Sequence, residues 1–313
     1  MGRTAKSDAH YDYIIVNEVP TKLLTIGKTS LNAGCPEPLF IFFPGNPGII
    51  EYYEEFLREV YDNFGGKLHV CGLSHAGHDV LPKNLRGPSP NGNWHLYGLQ
   101  GQVEHKLDFV KTHVSKDRPV FLAGHSVGAY MVLRILEQRK DLNVRRSFLL
   151  FPVFERLAQT PNAKALMVSS FLLKLVTWLL VALLFILPEL VKEALVEWYF
   201  KNIQPSIRDR TKKATLIVCT PGVFKLMVNM AEDELNQLKQ RDESTIRDHL
   251  QRLSFYYGSR DGWCPVTYFQ DMKQAFPDAD LNLCKHNLKH AFTLESTCEV
   301  SAFVAGRIKS SLA

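Results

Sequence analysis

Apolar residues fall in two rhythms along this chain. Short unbroken runs of strand length alternate with stretches in which apolar residues return every three or four positions. Residues 39–43 (Leu-Phe-Ile-Phe-Phe) form such a run, closed by Pro44-Gly45, and predict a buried strand. Residues 48–66 carry a helical period and end on Gly65-Gly66. A second strand is expected over 68–73. The Asp-, Asn-, Pro- and Gly-bearing stretch 79–98 predicts a loop. Then follow a helix over 99–114, a strand over 119–123, a helix over 129–139 and a strand over 147–153. Far downstream, 253–257 and 281–284 predict strands, with helices near 266–275 and 295–312.

Strands alternating with helices imply an α/β fold with a mostly parallel sheet covered on both faces. No internal repeat is visible, and the expectation is one domain over residues 1–313. Residues 154–250 break the rhythm. They read as mostly helical and hold the most apolar segment of the chain, so they are expected to form a cap inserted between two core strands.

Composition narrows the function classes. The chain of 313 residues carries a net charge of only +5, and no zinc-finger, RRM or basic-arm pattern is present, so nucleic acid is not an expected partner. The six cysteines, Cys35, Cys71, Cys219, Cys264, Cys284 and Cys298, include no CxxC pair. Neither a zinc site nor a disulfide framework is expected from that spacing. The first residues, MGRTAKSDAHYDY, show no apolar signal segment, and Lys6 stands where a myristoylation signal has Ser or Thr. A reducing, cytosol-facing environment is therefore expected.

Candidate chemistry centres on residues 121–131, Phe-Leu-Ala-Gly-His-Ser-Val-Gly-Ala-Tyr-Met. G-x-S-x-G between a strand and a helix is a nucleophile elbow: a sharp turn exposes the serine hydroxyl, and glycines remove side chains that would clash. Ser126 is the candidate nucleophile, and the N-terminus of the following helix favours developing negative charge. A serine needs a base, and the base an orienting acid. In the chain order Ser, acid, His, the loop after the last predicted strand supplies His290, with His286 as the alternative; His249 sits in a polar helix. Asp261 follows the strand over 253–257, at the end of the sheet where sites on α/β folds gather, whereas Asp278 and Asp280 precede a strand. The oxyanion needs two backbone donors. Val127, after the nucleophile, is one. The other is expected from Pro44-Gly45-Asn46-Pro47-Gly48. Prolines carry no N–H, which leaves Asn46, taken first, or Gly48.

Together GHSVG, the PGNPG loop, GSRDGW and the histidine of HAF resemble the α/β-hydrolase superfamily. PGNPGIIEYYEEF combined with GHSVGAYM and an apolar cap is similar, over nearly the whole chain, to the lipid droplet-associated serine hydrolase family. The resemblance implies an α/β-hydrolase fold and a triad of Ser126, Asp261 and His290. It further implies lipid droplet and endoplasmic reticulum location and weak hydrolysis of lipid esters, nominally sterol esters. The cytosolic face is expected from the sequence itself, and the serine chemistry calls for no cofactor. The usual His-Gly of lipase oxyanion loops is replaced by Pro44-Gly45. Two other outcomes stay open: transfer of the acyl group to an alcohol, and a mainly structural or regulatory role on lipid droplets.

Residues 165–187, ALMVSSFLLKLVTWLLVALLFIL, number about 23 and have the length of a bilayer span. A single crossing would part Ser126 from Asp261 and His290. The expectation is a monotopic helical hairpin, bent at Leu187-Pro188, embedded in one leaflet; the alternative is a buried lid. Leu190, Val191, Ala194, Leu195, Trp198 and Tyr199 share one helical face in the next segment. Lys201, Arg208, Arg210, Lys212 and Lys213 would meet anionic headgroups.

Overall fold

The computed structural model describes residues 8–27, 31, 35–168, 179, 182, 185–295 and 297–312. Its frame is an eight-stranded sheet: β1 (Ala9–Val16), β2 (Val19–Ile26), β3 (Leu39–Phe43), β4 (His69–Leu73), β5 (Val120–His125), β6 (Val144–Leu150), β7 (Leu253–Tyr257) and β8 (Asp280–Leu283), in the order β1-β2-β4-β3-β5-β6-β7-β8. From β4 through β8 all pairings are parallel; β1 with β2 and β2 with β4 are antiparallel.

The central strands are apolar throughout because both faces are covered. In β3, Phe40 and Phe42 pack with Phe56, Leu57 and Val60 of α1 (Glu54–Asp62) and Val300, Val304 and Ile308 of α11 (Cys298–Leu312). Leu39, Ile41 and Phe43 face the other way, onto α3 (Leu99–His113), α4 (Val127–Gln138) and α10 (Val266–Ala275), which bury Val103, Val110, Met131, Ile135 and Met272. The period of two in the strand thus feeds two separate cores.

Most expected elements are present, with ends displaced by a few residues. Two differences have physical causes. The loop expected over 79–98 contains one helical turn, α2 (Trp94–Tyr97). The hairpin β1–β2 was not anticipated, because its turn residues, Asn17 and Glu18, both take positive φ (43° and 68°), and Glu is not a residue that announces such a turn.

Between β6 and β7 the described chain is helical: α5 (Pro161–Val168), α6 (Glu189–Tyr199), α7 (Pro205–Val218), α8 (Pro221–Gln237) and α9 (Glu243–His249). The expected membrane segment 165–187 falls largely outside the described residues. Among those described, no single helix is long and apolar enough to cross a membrane. The pair Ile207–Val218 and Pro221–Gln237, bent by 85°, passes by length and composition, yet Ala214, Val223, Leu226 and Met230 within it are packed against the core.

Strand order reverses direction between β3 and β5: the chain adds β4 on one side of β3 and β5 on the other. The crevice beyond the carboxyl ends at such a point is the expected place for a site.

Candidate active site

Ser126 stands directly after β5, at that crevice. Its φ of 56° and ψ of −124° lie where side-chain-bearing residues rarely go, and α4 starts at the next residue. The flanking glycines make the turn sterically feasible. A Cβ on Gly124 would meet the Gly128 carbonyl oxygen at 2.2 Å, and one on Gly128 would meet the Phe43 carbonyl oxygen at 2.3 Å.

The structure brings the three residues singled out for catalysis into one hydrogen-bonded row. His290 Nε2 is 2.9 Å from Ser126 Oγ, and His290 Nδ1 is 2.6 Å from Asp261 Oδ2. A carboxylate only accepts, so Nδ1 carries the proton and Nε2 offers its lone pair to the serine hydroxyl. Asp261 is buried, and its Oδ1 accepts from the N–H groups of Trp263 (2.8 Å) and Cys264 (3.1 Å). These fix the carboxylate from behind. The arrangement can deprotonate a serine as it attacks an acyl carbon and return that proton to a leaving group.

The other candidates separate cleanly. His286 is exposed and bonds Glu299 at 2.6 Å. Asp280 opens β8 and is held by Arg307 at 2.7 and 2.8 Å and by Ser254 at 2.7 Å. His249 is the last residue of α9 and is half-buried.

The loop after β3 reaches the serine: a Cβ on Gly45 would lie 2.7 Å from Ser126 Cβ. Two of its backbone donors are already committed. The Gly45 N–H donates to Tyr53 Oη at 3.1 Å and the Gly48 N–H to the Gly45 carbonyl at 2.7 Å. With prolines at 44 and 47, that commitment favours Asn46 over Gly48 as a donor.

His125, the residue before Ser126, is drawn into the same cluster. Here its Nε2 donates to the His290 carbonyl at 2.9 Å, and its Nδ1 is 2.7 Å from Tyr53 Oη. A carbonyl only accepts, so the tautomer is fixed and Tyr53 must donate to Nδ1. The chain Gly45 N–H, Tyr53 O–H, His125, His290 carbonyl links the loop after β3 to the loop that bears His290. Burial, and then the neighbouring His290, hold His125 well below the usual imidazole range, so it stays uncharged. Phe292 closes this cluster, stacked on Phe151 at 5.4 Å and edge-on to His125 at 5.3 Å. The Tyr-Tyr of 52–53 and the Phe of HAF were the only sequence signals for these contacts.

Among the described residues one group, Cys35, Glu37 and His69, is compact enough to hold a metal ion. The Arg118 guanidinium lies 3.1 Å from His69 Nδ1 and 3.4 Å from Cys35 Sγ, so a cation there would face a positive charge.

Comparison with known proteins bears on the family and the fold. A family model described as "Lipid-droplet associated hydrolase" matches residues 36–293. Curated relatives called "Lipid droplet-associated hydrolase" include one from Gallus gallus, 35% identical over 88% of this chain and 86% of its own length. One from Homo sapiens is 33% identical over 97% and 96%, and one from Drosophila melanogaster 30% identical over 95% and 97%. Among solved structures, E-2-(acetamidomethylene)succinate hydrolase superposes with a TM-score of 0.65 at 13% identity, covering 96% of this chain and 100% of its own. A bacterial membrane phospholipase A superposes with a TM-score of 0.63 at 13% identity, covering 97% and 86%. The fold is that of the α/β hydrolases, and the chain belongs to the lipid droplet-associated hydrolase family.

Proposed function

We propose that this protein is a serine ester hydrolase acting on neutral lipid esters, sterol esters among them, at the cytosol-facing surface of lipid droplets and the endoplasmic reticulum. The observation that carries the chemistry is the row Ser126–His290–Asp261, with separations of 2.9 and 2.6 Å. Ser126 Oγ attacks the ester carbonyl carbon as His290 Nε2 takes its proton. The carbonyl π bond opens to an oxyanion held by the Val127 and Asn46 N–H groups. As the tetrahedral intermediate collapses, the C–O bond to the alcohol breaks and His290 returns the proton to that oxygen. Water, deprotonated by His290, then cleaves the acyl-enzyme and restores Ser126. Asp261 holds the imidazole tautomer and stabilises its cation. No metal or organic cofactor enters these steps. Diversion of the acyl-enzyme to an alcohol would make the same site an acyltransferase.

The lipid surface is supported by the names of the relatives and by the helices between β6 and β7, read as a cap over 154–250 that carries the anchor 165–187. On α6, Leu190, Leu195, Trp198 and Tyr199 are 79%, 45%, 66% and 73% exposed, and Leu166, Met167, Leu179 and Ile186 are exposed nearby in sequence. An apolar stripe of this kind suits a phospholipid monolayer. The Ser126–His290 contact across the insertion supports a reading in which both ends of 165–187 stay on one side of any membrane it enters.

The test is labelling with a fluorophosphonate probe, comparing wild type with Ser126→Ala, followed by a panel of lipid esters. Labelling lost in the variant supports the reading. A well-folded wild type that remains unlabelled, also on lipid droplets, would move the function to a structural or regulatory role on the droplet.

A further inference from the structure

The oxyanion loop is gripped from the cap. Asn46 Nδ2 donates to the Met227 carbonyl at 3.0 Å and to Glu234 Oε1 at 3.1 Å. Both acceptors belong to α8, and residues 227 and 234, two turns apart, share one helical face. That helix is itself tied down: Asp233 Oδ2 accepts from the Leu99 N–H at 3.1 Å, and Leu226 and Met230 are packed in the core.

Glu234 is buried where a charge would be costly, and what faces it fits an uncharged acid. Asn46 Oδ1 is buried with no hydrogen-bond partner among the described residues. A carboxylic acid is complementary to a carboxamide: its C=O accepts from the NH2 and its O–H can donate to the amide oxygen. A carboxylate can supply only the first half. It would also set a negative charge beside the place where the reaction develops one.

We propose that Glu234 is a positioning residue, which in its acid form fixes Asn46 from the cap, so that the oxyanion hole is complete only while α8 is docked. The inference rests on the serine hydrolase reading above. Burial pushes the Glu234 carboxyl up to about 8; the Asn46 hydrogen bond lowers it and Asp233, on the same helix, raises it. The facing loop 44–48 bears no ionisable side chain. His75 and His78, packed against Gly48 and Pro47, are held uncharged by burial. Glu234 therefore stays protonated at neutral pH and ionises as pH rises through about 8.

The experiment uses the full chain as wild type, Glu234→Gln and Glu234→Leu, with a soluble short-chain aryl ester as probe. It reads kcat and KM between about pH 6 and about pH 10, thermal melting, and fluorophosphonate labelling. Wild-type kcat is expected to fall as pH rises through about 8. Glu234→Gln, neutral and still able to accept and donate, should keep kcat within about threefold and lose that alkaline fall. Glu234→Leu should lose about 10- to 100-fold in kcat, with KM changed less than about threefold, because a donor misplaced by about 1 Å costs on that order. A labelled wild type with an unimpaired Leu variant, or a Gln variant with the same alkaline fall as wild type, overturns the role of Glu234 alone. Should the Leu variant not fold, the Gln profile decides. A folded wild type that is not labelled overturns the hydrolase reading and the inference together.

Discussion

His125 Nε2 donates to the backbone carbonyl of His290 across 2.9 Å, while the next residue, Ser126, meets the side chain of the same His290. One turn of chain thus holds both the backbone and the side chain of His290, and the second donor to that carbonyl is the Phe292 N–H at 3.0 Å.

Replacing His125 by Phe keeps a ring in the cluster and removes both hydrogen bonds. Tyr53 Oη loses an acceptor and the His290 carbonyl loses one of its two donors. We expect kcat to fall about tenfold with KM little changed, and stability to fall by about 1–3 kcal/mol. Steady-state kinetics with a soluble ester and thermal melts check this. An unchanged kcat would leave the contact a matter of packing only.

Asp261→Asn conserves the shape of the acid but offers His290 the wrong partner at Nδ1. The serine then meets a protonated Nε2 and loses its base. A fall in kcat on the order of 10⁴ is expected, with the fold intact. Circular dichroism together with ester turnover separates loss of chemistry from loss of structure.

Acid should weaken the fold. His75, His78, His105 and His125 are buried, and desolvation holds each below the usual 6.5, His78 at about 4. In the unfolded chain they protonate near 6.5, so over the window between those values the unfolded state binds more protons and stability falls as pH falls. His78 alone corresponds to on the order of 3 kcal/mol once fully expressed. Buried Lys106, also depressed, acts in the same sense; Glu51, Glu155 and Glu234, whose carboxyls are raised, act in the opposite one. Urea midpoints should therefore drop from about pH 7 to about pH 5, with the histidines in the majority. An equal or higher midpoint at the lower pH would contradict the balance.

Leu190→Asp combined with Trp198→Asp puts charge on the exposed stripe of α6. Each large apolar side chain contributes about 1.5–3 kcal/mol when buried, so binding to phospholipid-coated triolein droplets should weaken at least about tenfold. Hydrolysis of a soluble ester should stay as in wild type. Flotation assays measure the first and turnover the second; unchanged flotation would remove α6 from the lipid-binding surface.

The local features of this protein were legible from order alone. An apolar run closed by Pro44-Gly45 becomes β3, and small residues at 124 and 128 become the elbow, because short-range sterics decide which residues can occupy such turns. Ser126, Asp261 and His290, which the structure joins in one hydrogen-bonded row, each follow a predicted strand. The β1–β2 hairpin was not, since Asn17 and Glu18 take their positive φ in a turn closed by the pairing of two strands. Nor were the contacts of His125 with the His290 carbonyl and of Asn46 with Glu234, whose members lie 165 and 188 positions apart in sequence. A hydrogen bond between distant positions leaves no periodic trace, because its donor and acceptor meet only once the sheet and the helices above it have packed. The sequence by itself determined which residues can do chemistry. The tertiary structure decided which of them touch, and that α8 reaches back to Asn46 in the loop after β3.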